Sequence, residues 1–175
     1  MKDSTLSKIE TYTVDYPYFM GKALEQAQLA QQIGEVPVGA VVVLHNEIIG
    51  SGYNRCIIDS DPSLHAEMVA IRQACERINN YRLIGATLYV TLEPCSMCAG
   101  LLVHSRIQQL VYGANDPKAG AAGSILNLVQ HEDLNHQIEV VPNVLNDICS
   151  QMLSGFFRER RAQIKALKKA NKECR

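Results

Sequence analysis

The chain has 175 residues, of which 47% are hydrophobic and 20% charged, long enough for one packed domain and too apolar for a disordered chain. No run approaches the roughly 18 apolar residues of a membrane span, and residues 1–14 lack the apolar stretch of a secretion signal, so the expected setting is the cytoplasm, with the six cysteines kept reduced. The net charge of −1 conceals an asymmetry: residues 158–175 hold eight basic and two acidic residues (+6), while the rest holds nine and sixteen (−7). A basic end on a weakly acidic body fits either a polyanion contact or a solvated helix face.

Helices and strands alternate along the chain. Asp15 and Pro17 form a helix start, followed by Met20, Ala23, Leu24, Ala27 and Ala30 at helical spacing, and Gly34 stops the run. Residues 38–44 are a valine-rich buried strand, His45-Asn46-Glu47 a turn, and 48–53 a returning strand, which makes a hairpin. After a polar loop over 54–62, Asp61-Pro62-Ser63 offers cap residues and a first-turn proline for a second helix with Ala66, Val69, Ala70 and Ala74 on one face. Residues 86–92 alternate as a third strand, Pro94 ends it, and a small-residue helix begins near Ser96. Residues 107–112 form a fourth strand, 115–123 a Gly- and Ala-rich loop, and 138–141 a short fifth strand. Asn143 is expected to cap a long last helix with Leu145, Ile148, Cys149, Met152 and Phe156 on its buried face, running into the basic tail. Strands alternating with helices, without an internal repeat or a linker, mean a single α/β domain over 1–175 with its sheet covered on both faces; 158–175 form a basic helix end and tail.

Two short motifs carry chemistry. His65-Ala66-Glu67 opens the second helix, and Pro94-Cys95-Ser96-Met97-Cys98 sits where the third strand hands over to a helix. A C-x-x-C is either a redox pair or part of a metal site, and a redox pair belongs after the first strand of a βαβ unit, whereas here a hairpin and a helix come first. His65, Cys95 and Cys98 make three ligands. A structural zinc site is closed by four, and a catalytic one keeps a position for water. Cys75 lies about three helical turns past His65, Cys149 reads as a small buried hydrophobe, and Cys56 and Cys174 as loop and tail residues.

Both motifs sit at helix N-termini, where unpaired N–H groups and the helix dipole favour the thiolate form that binds metal. Glu67 is either an ordinary first-turn acid or, beside a metal-activated water, the group that moves its proton. The combined pattern H-x-E…P-C-x-x-C is the signature of the zinc nucleobase deaminases, and it does not separate cytosine from adenine chemistry.

From about Tyr18 to about Lys169 the sequence resembles the bacterial tRNA-specific adenosine deaminases, which convert the wobble adenosine of an arginine tRNA with an ACG anticodon to inosine. The likeness rests on Glu35-Val36-Pro37-Val38-Gly39-Ala40-Val41, Gly52-Tyr53-Asn54-Arg55, Thr87-Leu88-Tyr89-Val90-Thr91-Leu92-Glu93-Pro94-Cys95, Met97-Cys98-Ala99-Gly100, Asp116 with Gly120-Ala121-Ala122-Gly123, and Phe156-Phe157-Arg158. The resemblance implies a three-layer α/β/α fold with a five-stranded mixed sheet, a homodimer, one zinc per subunit and no organic cofactor. It implies His65, Cys95 and Cys98 as metal ligands and Glu67 as proton shuttle. Asn54 would bond the flipped nucleoside, Pro37, Val38 and Leu92 would wall the base, and Asp116 would contact the ribose. Phe157 and Arg161 would touch the anticodon stem-loop. Asn115 stands where the family commonly has arginine, and Cys56 where it has proline. The competing readings are a deaminase of a free base or mononucleotide, which does not need the basic tail, and a non-enzymatic zinc module that binds RNA, which needs a fourth ligand and no Glu67. A riboflavin-pathway deaminase carries a second domain for which 175 residues leave no room.

Overall fold

The structure, a computed structural model, describes residues 15–173; the polar start at residues 1–14, Cys174 and Arg175 lie outside the described residues. In chain order the elements are α1 (Tyr16–Gln32), β1 (Gly39–Leu44), β2 (Glu47–Tyr53), α2 (Ala66–Ile78), β3 (Thr87–Leu92), α3 (Ser96–Ser105), β4 (Gln109–Ala114), β5 (Glu139–Val141) and α4 (Asn146–Glu173). Asp15 caps α1 by accepting the Tyr18 N–H at 2.9 Å, and Gly34 leaves the helix at a φ of +80°, a region open to glycine without cost. His45 and Asn46 both take positive φ, which closes the β1–β2 hairpin tightly.

The strands form one mixed sheet in the order β2-β1-β3-β4-β5. β1 runs antiparallel to both β2 and β3, and β3, β4 and β5 run parallel. Alternation along each strand divides the core in two. Val41, Val43, Tyr89 and Val111 pack under α1 and α4, and Ala40, Val42, Leu88, Val90 and Leu110 pack under α2 and α3. The expected three-layer α/β/α sandwich is therefore observed.

The strand directions gather four chain segments at one edge of the sheet. The start of β1 lies opposite the end of β2, with Gly39 facing Tyr53. The end of β3 lies beside the end of β4, with Leu92 level with Ala114. Loops at such an edge are where open α/β sheets place their ligands. α2 reaches this edge because β2 presents glycine to it. A Cβ on Gly52 would fall 2.6 Å from Ala66 O and Ala70 N, so a side chain there would push the helix, and His65 with it, off the sheet.

Three boundaries depart from expectation. Asp61 does not start α2: its Oδ1 accepts from Ser63 N at 2.8 Å and Ser63 Oγ at 2.7 Å, closing a local turn. β4 begins at Gln109, two residues later than expected, because Arg106 and Ile107 donate their N–H groups to Val103 O and Leu102 O and finish α3. Asn143 sits at a φ of +66° three residues before α4 and caps nothing; it accepts from Asn115 Nδ2 at 3.2 Å. The buried face of α4 runs through Cys149, Met152 and Leu153, with Leu145 packing just before the helix, which leaves Ile148 51% exposed. No helix among the described residues is long and apolar enough to cross a membrane.

Candidate active site

Two of the three candidate metal ligands occupy N-cap positions without acting as caps. His65 precedes α2 and Cys95 precedes α3, both with extended backbone and neither side chain making a cap hydrogen bond. The cap of α2 is delivered from elsewhere: Asn54 Oδ1 accepts the Ala66 N–H at 2.9 Å, which leaves the imidazole free to turn towards the cysteines. His65 Nδ1 lies 3.6 Å from Cys95 Sγ and 3.6 Å from Cys98 Sγ. The three ligand atoms fall within 4.8 Å of one another, and among the described residues no other group of His, Cys, Asp and Glu does this. Cys149 is buried under β4, whereas Cys56 and Cys75 are half-buried and apart from the cluster.

Without metal the cluster is unevenly protonated. Hydrogen bonds from Cys98 and His65 pull the Cys95 thiol down to about 3. Cys98, donating to that thiolate and buried, is pushed up, and the bond to Cys95 raises His65. One imidazole nitrogen and two sulfurs at helix starts fit zinc by ligand softness and number, and among the described residues this triad is the group that could hold a metal.

Glu67 lies in the first turn of α2, 3% exposed. Its Oε2 is a buried polar atom with no hydrogen-bond partner. Burial raises its proton affinity above the ordinary carboxylate range. A buried, unpartnered carboxylate oxygen is costly; one placed beside a metal-type donor set is poised for a ligand atom rather than for the protein.

These groups open on a cavity of about 450 Å³. Val38, Asn54, His65, Glu67, Leu92, Cys95, Asp116 and Phe157 line it. Pro37 and Arg161 are outside this lining. Pro37 is buried at the centre of a tight turn in which Val38 N donates to Val36 O at 2.8 Å. That turn presents the flanking Val36 and Val38 to the cavity. Arg161 is exposed on α4, one turn beyond Phe157. A larger groove of about 780 Å³ lies on the far side of α2 and contains none of the three ligands.

Two buried acids were not singled out from the sequence. Glu35, 2% exposed, accepts Ile57 N at 2.6 Å and Ile58 N at 2.9 Å and so holds the loop after Asn54. Glu93, also 2% exposed, accepts from the loop after β4. Burial alone would raise Glu93, but the bonds it accepts from Ser124, Asp116 and Ala122 outweigh that and hold it below the usual range.

The family described as MafB19-like deaminase matches residues 14–161, which places the chain among the deaminases. A tRNA-specific adenosine deaminase of Bacillus subtilis is 50% identical over 151 residues, 86% of this chain and 94% of that protein. Its counterpart from Haemophilus influenzae is 52% identical over 147 residues, 83% of this chain and 85% of that protein. A solved structure from work on A-to-I editing by tRNA:A34 deaminases at the wobble position superposes with a TM-score of 0.75 at 41% identity, covering 78% of this chain and 99% of that one. The chain belongs to the family of tRNA-specific adenosine deaminases.

Proposed function

We propose that this protein hydrolyses adenosine to inosine at the wobble position of a tRNA anticodon, that of the arginine tRNA reading ACG, in the cytoplasm, where its thiols stay reduced. The observation that carries the reading is the orphaned, buried Glu67 Oε2 beside the His65–Cys95–Cys98 donor set, inside a cavity of about 450 Å³. His65, Cys95 and Cys98 hold one zinc per chain. When bound, zinc supplies the Lewis acidity that makes water a nucleophile near neutral pH.

The chain's own residues do the rest. Val38 and Leu92 flank the extruded base, helped by Val36. Asn54, whose Oδ1 is engaged by Ala66 N, offers its amide nitrogen as a donor to the nucleoside. Asp116 faces the ribose, with Oδ1 already engaged by Lys118 N and Ala119 N. Glu67 moves the two protons of the attacking water in turn, one to ring N1 and one to the departing amino group. The water oxygen ends on C6 and ammonia leaves.

Phe157, which lines the cavity and is 43% exposed, leads directly into the basic part of α4. This favours an RNA loop over a free base, because a base splayed from a single-stranded loop needs a stacking surface with phosphate contacts beside it. Incubation with the arginine tRNA transcript should yield inosine at the wobble position. Ammonia release from cytosine, guanine or deoxycytidine monophosphate, with no inosine in the tRNA, would overturn the proposal.

The basic helix carries its own expectation. Alanine at Arg160, Arg161, Lys165, Lys168 and Lys169 together should weaken binding of an anticodon stem-loop and flatten its salt dependence by about 0.7 in log–log slope for each phosphate left without a cation. Metal content should be untouched, and a salt slope equal to wild type would remove the helix from the RNA interface. The active form is a homodimer. The apolar side chains Met97, Ile125 and Leu126, exposed near the site, support burial against a second copy. Sedimentation velocity should report twice the chain mass, and a fully active monomer would contradict this.

A further inference from the structure

Glu93 stands between the end of β3 and the Pro94-Cys95 pair. It borders the cavity, yet it has nothing left to offer a ligand. Oε1 accepts Ala122 N and Ser124 N, each at 3.0 Å. Oε2 accepts Asp116 N at 3.0 Å and the Ser124 hydroxyl. A carboxylate has about four acceptor sites, and here all four face neutral donors of one segment, the loop that follows β4. That loop is rich in glycine and alanine over 119–123 and has few side chains with which to hold itself in place. Two further ties go to the same short stretch of chain: Ala121 N donates to Pro94 O at 2.8 Å, and Gly120 bridges to Cys95; the others, such as Leu128 N to Ala121 O at 3.0 Å and the Ala122–Asn127 bridge, stay within the segment that follows β4. Gly120 is itself fitted to the carboxylate, since a Cβ there would lie 2.4 Å from Glu93 Cδ and Oε2.

The loop's first part, 116–119, is a wall of the cavity. Asp116 sets the course of that wall by accepting Lys118 N at 2.9 Å and Ala119 N at 3.2 Å, and Glu93 holds Asp116 by its backbone. We propose that Glu93 is a positioning residue: it pins the 116–124 wall at a fixed distance from the metal-ligating Cys95 and thereby sets how tightly the target nucleotide is held. The proposal rests on the reading of this cavity as the nucleoside site. It assigns Glu93 no contact with substrate and no part in proton transfer.

Glu93→Gln tests it, because it keeps the shape and replaces one acceptor oxygen by an NH₂ group that meets N–H donors. The comparison uses metal-loaded, full-length wild type, Glu93→Gln and Ser124→Ala. Amide hydrogen exchange is read without RNA, and steady-state kinetics with an anticodon stem-loop. In Glu93→Gln, exchange across 116–124 should rise while α2 keeps its protection. KM should rise about tenfold or more, with kcat and metal content changed far less. Ser124→Ala removes the bonds of one hydroxyl and should move both readouts in the same direction by less. Wild-type exchange and KM in Glu93→Gln would overturn the proposal, and so would a lowered melting temperature with KM unchanged. If Glu93→Gln does not fold, Ser124→Ala decides alone: unchanged loop exchange and KM would count against the proposal. A wild type that leaves the stem-loop adenosine intact overturns the functional reading, while the exchange data still decide whether Glu93 pins the wall.

Discussion

Replacing Glu67 by alanine is expected to lower kcat by about 10²–10⁴-fold or more, with metal content and stem-loop affinity close to wild type. The expectation follows from position. Glu67 is buried in the first turn of α2, two residues from His65, and its Oε2 has no partner in the protein. A structural acid in that place would have both oxygens satisfied by the protein, as Glu93 does. Single-turnover deamination with metal-loaded enzyme measures the effect directly. A variant within a few-fold of wild type would show that the proton moves by another route.

The same residue separates function from stability by sign. Burial raises the Glu67 pKa above its ordinary value of 4.5. A carboxyl raised on folding binds its proton more tightly in the native state than in the unfolded chain. Its contribution is therefore most favourable below the unfolded value and is lost as pH climbs through the folded one. At neutral pH, where the unfolded chain carries the carboxylate in water, burying Glu67 works against the metal-free fold. Glu67→Gln, measured without metal, should melt at a higher temperature than wild type at pH 7, and the difference should shrink as pH falls towards 4. Activity lost together with stability gained is the pattern of a site residue kept for chemistry.

How much of this site could be read from the chain depends on whether a signal is local. The hairpin was legible because His45-Asn46 supports two successive positive φ angles. The metal triad was legible because His65, Cys95 and Cys98 sit in two short motifs, each at a helix start. What stayed hidden depends on contacts distant in sequence. The cap of α2 comes from Asn54, twelve positions before Ala66, so the nearer Asp61 and Ser63 drew the helix start too early. Val36 lines the cavity where Pro37 was expected to, because the turn at Pro37 presents its neighbours instead. Glu35 and Glu93 left only a faint trace. Each is an acid set among apolar residues, Gly34 and Val36 or Leu92 and Pro94, and each is buried where backbone N–H donors distant in sequence meet it.

Removal of one ligand of the triad should cost more than any other single change in the chain. In Cys98→Ala, metal content is expected to fall well below one ion per chain, and turnover should fall with it to background. The reasoning is one of ligand count. Three protein donors converge within 4.8 Å and no further His, Cys, Asp or Glu joins them among the described residues, so none of these is placed to replace a missing thiolate. Cys98 is also the donor with the least freedom, fully buried in the first turn of α3. The fold should survive the change. Cys98 belongs to neither of the two core clusters that hold the sheet and helices together, and alanine keeps the helix while leaving only a small space. Circular dichroism should therefore be unchanged where metal analysis is not. Cys149→Ala is the matching control: it removes a buried cysteine from beneath Gly113, and should cost some stability and no metal. If Cys98→Ala retained a full equivalent of metal, or Cys149→Ala lost it, the donor set would have to be drawn differently. His65→Ala then reads the third ligand by the same two measurements. Because Asn54 rather than His65 caps α2, losing the imidazole should empty the site without fraying the helix.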